Sequence, residues 1–266
     1  MFASPSPSPS PSPSPSQRPA PLAVVCLLTL STLAAATAQA AGSCSARSAA
    51  TITPVVELYT SEGCNSCPPA DQWLSRLKAE PNVVALAFHV DYWDRLGWKD
   101  RFASPAYTQR QAQTQATSGA RFNYTPQVLF DGADRPDWPS LSVAGAKRSR
   151  AAAPVEVSLV RDGSHFTASI AALPGAPSRL AAYWAVTEQG HVSNVKAGEN
   201  SGVTLKHDYV VREYRPVAAW QVTADAPAAL QFDAATPADA QYPREVNLVV
   251  VNADTGRPVQ ALKIGC

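Results

Sequence analysis

The sequence has almost no surplus of charge. Over 266 residues, 22 basic and 21 acidic side chains leave a formal net charge of +1, and charged residues make up only 16%. A protein that binds nucleic acid by neutralising phosphates, or that sits on an acidic membrane surface, needs a basic excess that is missing here. A glycine-rich phosphate loop, an internal repeat and a coiled-coil heptad are missing too, which leaves out nucleotide-cradling, solenoid and fibrous designs. Methionine occurs once. Apolar residues are not scarce: at 45% of this length they suffice to bury the core of one large domain or two small ones, which excludes a predominantly disordered chain.

Proline and cysteine stand out instead, with 24 and five copies. Eight prolines precede residue 22, six of them in the Ser-Pro repeat from Ser4 to Ser16, an extended, solvated tract with nothing to bury. Arg18 follows, then an uncharged run from Pro19 to Ala46 that contains an apolar stretch from Leu22 to about Ala36 and the triplets Ala36-Thr37-Ala38 and Ala38-Gln39-Ala40. That order predicts a secretory signal over 1–40, cleaved after Ala40, an N-terminal arm over 41–52, and a periplasmic or secreted location. The apolar stretch is short for a transmembrane helix, so no membrane span is expected after cleavage; an uncleaved anchor is the competing reading. Losing 1–40 removes one arginine and Cys26, which leaves a neutral chain with Cys44, Cys64, Cys67 and Cys266. An even number of cysteines in an exported protein suits disulfides.

Two halves follow. From 53 to 150 strand-like and helix-like patterns alternate: a valine-rich run from Pro54 to Thr60, a helical face with Trp73, Leu74 and Leu77 in Pro68 to Ala79, and an apolar run from Asn82 to Val90. A helix start then stands at Ser104-Pro105, a strand at Gln127 to Phe130, a hairpin turn at Asp131-Gly132 and a weaker helix over Leu141 to Arg150. After a short linker, 154–266 reads as strands: Val155 to Val160, Phe166 to Ala172, Leu180 to Thr187, Val203 to Tyr214, Val217 to Val222, Val246 to Asn252 and Val259 to Ile264. The expectation is an α/β domain over 53–150 followed by an all-β, sandwich-like domain over 154–266.

The chemistry-bearing segment is Glu57-Leu58-Tyr59-Thr60-Ser61-Glu62-Gly63-Cys64-Asn65-Ser66-Cys67-Pro68-Pro69-Ala70-Asp71. Two cysteines separated by two residues at a strand-to-helix junction can close a disulfide across the first helical turn. Cys64, placed at the helix N-terminus, would meet unpaired N–H groups and the positive end of the helix dipole, which favour thiolate. Cys67, one turn on, would resolve a mixed disulfide on Cys64. Thr125-Pro126 leads directly into a strand; a proline there is either cis, with its backbone beside the dithiol, or an ordinary trans strand start.

Residues 54 to 150 resemble a thioredoxin fold, with Cys64 and Cys67 at the redox pair and Pro126 at the cis-proline. More closely, Val56-Glu57-Leu58-Tyr59-Thr60-Ser61-Glu62-Gly63-Cys64, His89-Val90-Asp91-Tyr92-Trp93-Asp94, Tyr124-Thr125-Pro126-Gln127 and Glu199-Asn200-Ser201-Gly202 resemble a secreted bacterial family known as domain of unknown function 1223. The resemblance spans most of 51–266 and implies an α/β thioredoxin-like first domain. Departures from thioredoxin are Asn65-Ser66 in place of Gly-Pro and Gly63 in place of a tryptophan. The resemblance further implies a general-base role for Glu57, against which stands a carboxylate simply paired with a basic neighbour. It also brings the end of the second strand, His89 with Asp91 on one face, toward the dithiol. That His-Asp pair would move protons, would bind copper together with Cys64 and Cys67, or would only hold the loop from Tyr92 to Asp100. His191 and His207 read as core or rim side chains.

Cys44 and Cys266 either pair, closing a loop of over two hundred residues, or remain free for contacts between chains. The reading that follows is an exported thiol-disulfide oxidoreductase. Its expected catalytic set is Cys64, Cys67, Pro126, Glu57 and His89. Its partners would be protein thiols or disulfides and a separate redox protein; no cofactor and no nucleic acid are expected. The rivals are a copper-binding protein or metallochaperone using Cys64, Cys67 and His89, and a non-catalytic protein in which Cys64-Cys67 is a structural disulfide.

Overall fold

The computed structural model of the protein describes Phe2, Ser10 and residues 44–142, 150–223 and 226–266. The expected signal segment, and all but the ends of the expected helix over Leu141 to Arg150, lie outside the described residues. Gln39–Cys266 form one compact unit.

In chain order the first elements are β1 (Cys44–Arg47), β2 (Val55–Thr60), α1 (Pro68–Ser75), β3 (Val84–His89), α2 (Pro105–Ser118), β4 (Gln127–Phe130) and β5 (Ala133–Asp134). Strands β2 and β3 are buried at every position, as their lack of polar alternation requires, and pair in parallel from Val55 against Val84 to Thr60 against His89. The connection between them is α1, opened by Pro68 and Pro69 and continued by a 3-10 turn over Arg76–Ala79. It packs Ala70, Trp73 and Leu74 against Val56 and Leu58 on one face of the sheet. On the other face Tyr107 of α2 joins Val55, Tyr59 and Phe88. The start of α2 is local: the Ser104 hydroxyl accepts the Ala106 N–H at 3.3 Å, and Pro105 occupies the first turn. Asp131 and Gly132, both with positive φ (50° and 74°), make the tight turn between β4 and β5.

The remaining strands are β6 (Val155–Asp162), β7 (His165–Ala172), β8 (Arg179–Glu188), β9 (His191–Asn194), β10 (Thr204–His207), β11 (Val210–Gln221), β12 (Ala228–Asp233), β13 (Arg244–Asn252) and β14 (Pro258–Ile264). Four of them extend the sheet begun by β2 and β3, giving an eight-stranded order β14-β13-β8-β11-β3-β2-β4-β5. The junction is a parallel contact of Val210 in β11 with Ala87 in β3. Strands β1, β6, β7 and β12 form a four-stranded sheet, and β9 pairs with β10 as a separate hairpin. Val155, Val157, Leu159 and Phe166 from the smaller sheet meet Trp184, Leu248 and Val250 from the larger in the main sandwich core.

These strands overturn the expected fold class of an α/β thioredoxin-like fold followed by an all-β domain. Among the described residues strand takes 44% and helix 15%, and only two α-helices form. The physical reason lies in β3. Being apolar on both faces, it makes an interior strand rather than an edge, and β11 from the second half covers its open side. The sandwich expected after 154 does form, but one of its two layers is the same sheet that carries β2 and β3.

Candidate functional site

Cys64 and Cys67 are joined by a disulfide, with Cα atoms 5.4 Å apart. The helix begins at Pro68, so Cys67 is its N-cap residue and Cys64 lies in the turn before it, its carbonyl accepting the Cys67 N–H at 3.2 Å. Asn65 and Ser66 between them are exposed, whereas both cysteines have 0% relative exposure. What covers them comes from the second half of the chain. The Asn200 amide donates to the carbonyls of Glu62 (2.9 Å) and Cys64 (3.0 Å), and the Asn65 N–H donates to the Glu199 carboxylate at 3.1 Å. At Gly63 a Cβ would stand 3.0 Å from the Cβ of Trp93, so only glycine fits without displacing it. Trp93 in turn donates its indole N–H to the Thr125 hydroxyl at 2.8 Å, and Thr125-Pro126 is a cis peptide. The dithiol turn and the Pro126 loop are therefore tied through one side chain. At the far end of the unit, Cys44 and Cys266 are also joined.

Beneath the dithiol turn lies a buried cluster of acids and imidazoles. Asp71, one turn along α1 from Cys67, accepts the Thr60 hydroxyl on Oδ2 at 2.9 Å. Asp100 accepts the Glu62 N–H at 2.9 Å, the Phe102 N–H at 2.9 Å and faces His89 Nδ1 at 2.7 Å. Glu62 accepts the Trp98 indole N–H at 2.7 Å on Oε2. His207 stands between the two remaining carboxylate oxygens, Nε2 at 3.4 Å from Glu62 Oε1 and Nδ1 at 3.7 Å from Asp71 Oδ1. These last spacings are those of ion pairs without directed hydrogen bonds: both His207 nitrogens, Glu62 Oε1 and His89 Nε2 are buried without a hydrogen-bond partner. Burial alone would lower the His207 pKa, but Asp71 and Glu62 outweigh it and raise it to about 10. Burial likewise pushes Glu62 and Asp100 up, and is overcome for Glu62 by His207 and for Asp100 by His89, so both carboxyls lie below the usual range.

The sequence-predicted residues divide. Cys64, Cys67 and the Pro126 loop are brought together, and His89 joins the cluster below them. Its carboxylate partner is Asp100, not Asp91, whose carboxylate accepts the Thr108 hydroxyl at 2.6 Å. Glu57 faces away. On β2 the neighbours Val56 and Leu58 pack toward α1, so alternation turns Glu57 to the opposite face, where it pairs with buried Arg110 and accepts the Tyr183 hydroxyl. His89 converges with Asp71 and His207 rather than with the cysteines; among the described residues this is the one group of three whose ligand atoms lie within 4.8 Å of one another.

Sequence reasoning passed over Glu62, Asp71, Asp100, Asn200 and His207. Glu62 and Asp71 were within reach, because both fall in the quoted dithiol segment and an acid four residues after Cys67 shares its helix face. Nothing local marks His207, whose position in a strand of alternating burial reads as core.

The sequence model of the family described as "Protein of unknown function (DUF1223)" matches residues 55–252. A comparison with curated proteins found no match. Among solved structures, protein AGR_C_4864 from Agrobacterium tumefaciens is 28% identical, with a TM-score of 0.57 over 80% of this chain and 94% of that one. HBP35 of Porphyromonas gingivalis shares the fold at 17% identity, with a TM-score of 0.59 over 82% of this chain and 76% of that one. No helix among the described residues is long and apolar enough to cross a membrane.

Proposed function

We propose that this chain, which belongs to the DUF1223 family of proteins of unknown function, is an exported thiol-disulfide oxidoreductase whose working pair is Cys64 and Cys67. The observation that carries the reading is a disulfide between residues three apart, set at the mouth of α1. In the chain-entropy account such a short loop contributes only about 2 kcal/mol to stability, so a covalent staple has little to do there. A dithiol that opens and closes has more.

In the oxidising direction, a substrate thiolate attacks Sγ of Cys64, the Cys64–Cys67 bond breaks and the electron pair leaves on Cys67 Sγ. The substrate's second thiolate then attacks the mixed disulfide, leaving with a disulfide of its own while both cysteines become thiols; the reverse sequence reduces a substrate. Cys64 is the sulfur to be attacked because the turn holding its carbonyl, Glu199-Asn200, is a surface segment that can withdraw, whereas Cys67 is anchored as the cap of α1. Pro126, on the loop tied through Trp93, borders the substrate's approach. The partners are protein thiols or disulfides, together with a separate redox protein that resets the pair. The disulfides suit a periplasmic or secreted location.

Burial of both cysteines favours a second reading, in which this disulfide is structural. Reduction potential and mutagenesis separate the two. Exchange predicts that Cys64→Ser and Cys67→Ser each abolish turnover of a dithiol substrate while the circular dichroism spectrum is unchanged, with Cys67→Ser trapping a mixed disulfide on Cys64. Full turnover in either variant, or a potential below about −300 mV, assigns the bond to structure.

A further inference from the structure

We propose that Asp71, His89 and His207 form a binding site for one first-row divalent metal ion of the zinc class. The site is independent of the thiol chemistry proposed above, because it needs neither sulfur. Three observations carry it. First, one ligand atom from each residue lies within 4.8 Å of the others, and the three residues are 7%, 0% and 2% exposed. An ion bonded at about 2.0–2.2 Å to each draws such a group together.

Second, the atoms that would bind are the ones left without a partner. His89 Nε2 and both nitrogens of His207 are buried and unbonded, an arrangement that folded proteins rarely tolerate. Asp71 keeps Oδ1 toward His207 while Oδ2 is occupied by Thr60.

Third, each imidazole already has an acid behind it. Asp100 at 2.7 Å holds the proton of His89 on Nδ1, which presents the Nε2 lone pair inward. Glu62 Oε1, 3.4 Å from His207 Nε2, stands on the side of that ring away from Asp71, where it would accept the Nε2–H once Nδ1 binds an ion. Carboxylates that fix the tautomer of a ligating histidine are the usual outer support of a metal centre. The buried charge points the same way. Asp71, Glu62 and Asp100 place three carboxylates around two imidazoles, a surplus of negative charge that a divalent cation offsets.

Two imidazoles and a carboxylate suit zinc and its neighbours better than calcium or magnesium, which take oxygen. Three protein ligands also leave a coordination position open. A surface cleft of about 360 Å³, lined by Pro68, Asp71, Gln72, Leu205, Lys206 and His207, gives an ion and a further ligand a way in to two of the three residues.

The test uses the oxidised full chain carrying Cys26→Ser, in which both cysteine pairs are closed and no thiolate can substitute as a ligand. Equilibrium dialysis against Zn²⁺ is expected to retain one ion per chain, and Co²⁺ in its place to give visible d–d bands. His89→Ala and His207→Ala are each expected to lose at least tenfold in Zn²⁺ affinity and to alter those bands. Asp100→Asn, which leaves all three ligands in place, should weaken binding by about 10–100-fold. It serves as the decisive variant should either alanine variant fail to fold. Zinc retained undiminished by the His89→Ala/His207→Ala double variant, an unchanged affinity in folded Asp100→Asn, or no zinc retained by the wild-type chain would each overturn the site.

Discussion

The two disulfides differ in span and in surroundings, although both join cysteines in the same unit. Cys44 and Cys266 are separated by 222 positions, and Cys64 and Cys67 by three. Closing the long loop stabilises the fold by about 5 kcal/mol in the chain-entropy model, against about 2 for the short one. The surroundings differ as well. The long-range bond ties β1 of the smaller sheet to the residue two beyond β14 at the edge of the larger, with Cys266 exposed to solvent. The short-range bond is buried, capped by Asn200 and underlain by Asp71, His89 and His207. A staple needs span and no chemistry; a redox centre needs neighbours and no span.

The largest effect that would sharpen this contrast is the complete loss of exchange in Cys64→Ser set against Cys44→Ser. The latter is expected to keep full turnover while its unfolding free energy in guanidinium falls by up to about 5 kcal/mol. Equal stability losses at the two bridges would erase the distinction. Next in size is Glu57→Ala, which strands Arg110 without its counter-charge in the core. It should cost about 3–5 kcal/mol, read as a lowered denaturation midpoint, with exchange by the folded protein unaltered because Glu57 lies across the sheet from α1. A selective loss of exchange there would return Glu57 to the redox machinery.

The smallest effect expected is Asn200→Ala. Removing two buried hydrogen bonds should destabilise by about 1–3 kcal/mol. Because those bonds hold the cover over Cys64, the same change should speed reduction of the Cys64–Cys67 bond by a small-molecule dithiol. A slower or unchanged rate would mean that Glu199-Asn200 does not gate access.

Local signals were legible where the physics is local. The strand Gln127 to Phe130 ends as β4 with the same bounds, the Asp131-Gly132 turn has the positive φ values its residues favour, and Ser104-Pro105 starts α2. The helix over Pro68 to Ala79 is present in part, since its last turn tightens to a 3-10 form. Short polar-flanked strands such as β9 and β12 went unseen, because four to six residues of alternating burial carry little periodic signal. The fold class was misread for a related reason. The apolar runs of β3 and β13 say that both faces are covered, but not by which strands, and the pairing of Val210 with Ala87 joins residues more than a hundred positions apart.

The sequence by itself determined the elements around the dithiol: a buried strand, a two-residue gap between cysteines, a proline-opened helix and a proline-led strand. Each depends on neighbours within a few residues. Only the tertiary structure decided what stands behind those sulfurs. His207 reaches Asp71 because β10 packs on α1, Asp100 reaches His89 because the loop after β3 folds back, and Glu57 loses its expected place because alternation turns it to the other face. Hydrophobic pairing of distant strands brings such groups together, and that pairing leaves no local mark on the residues it unites.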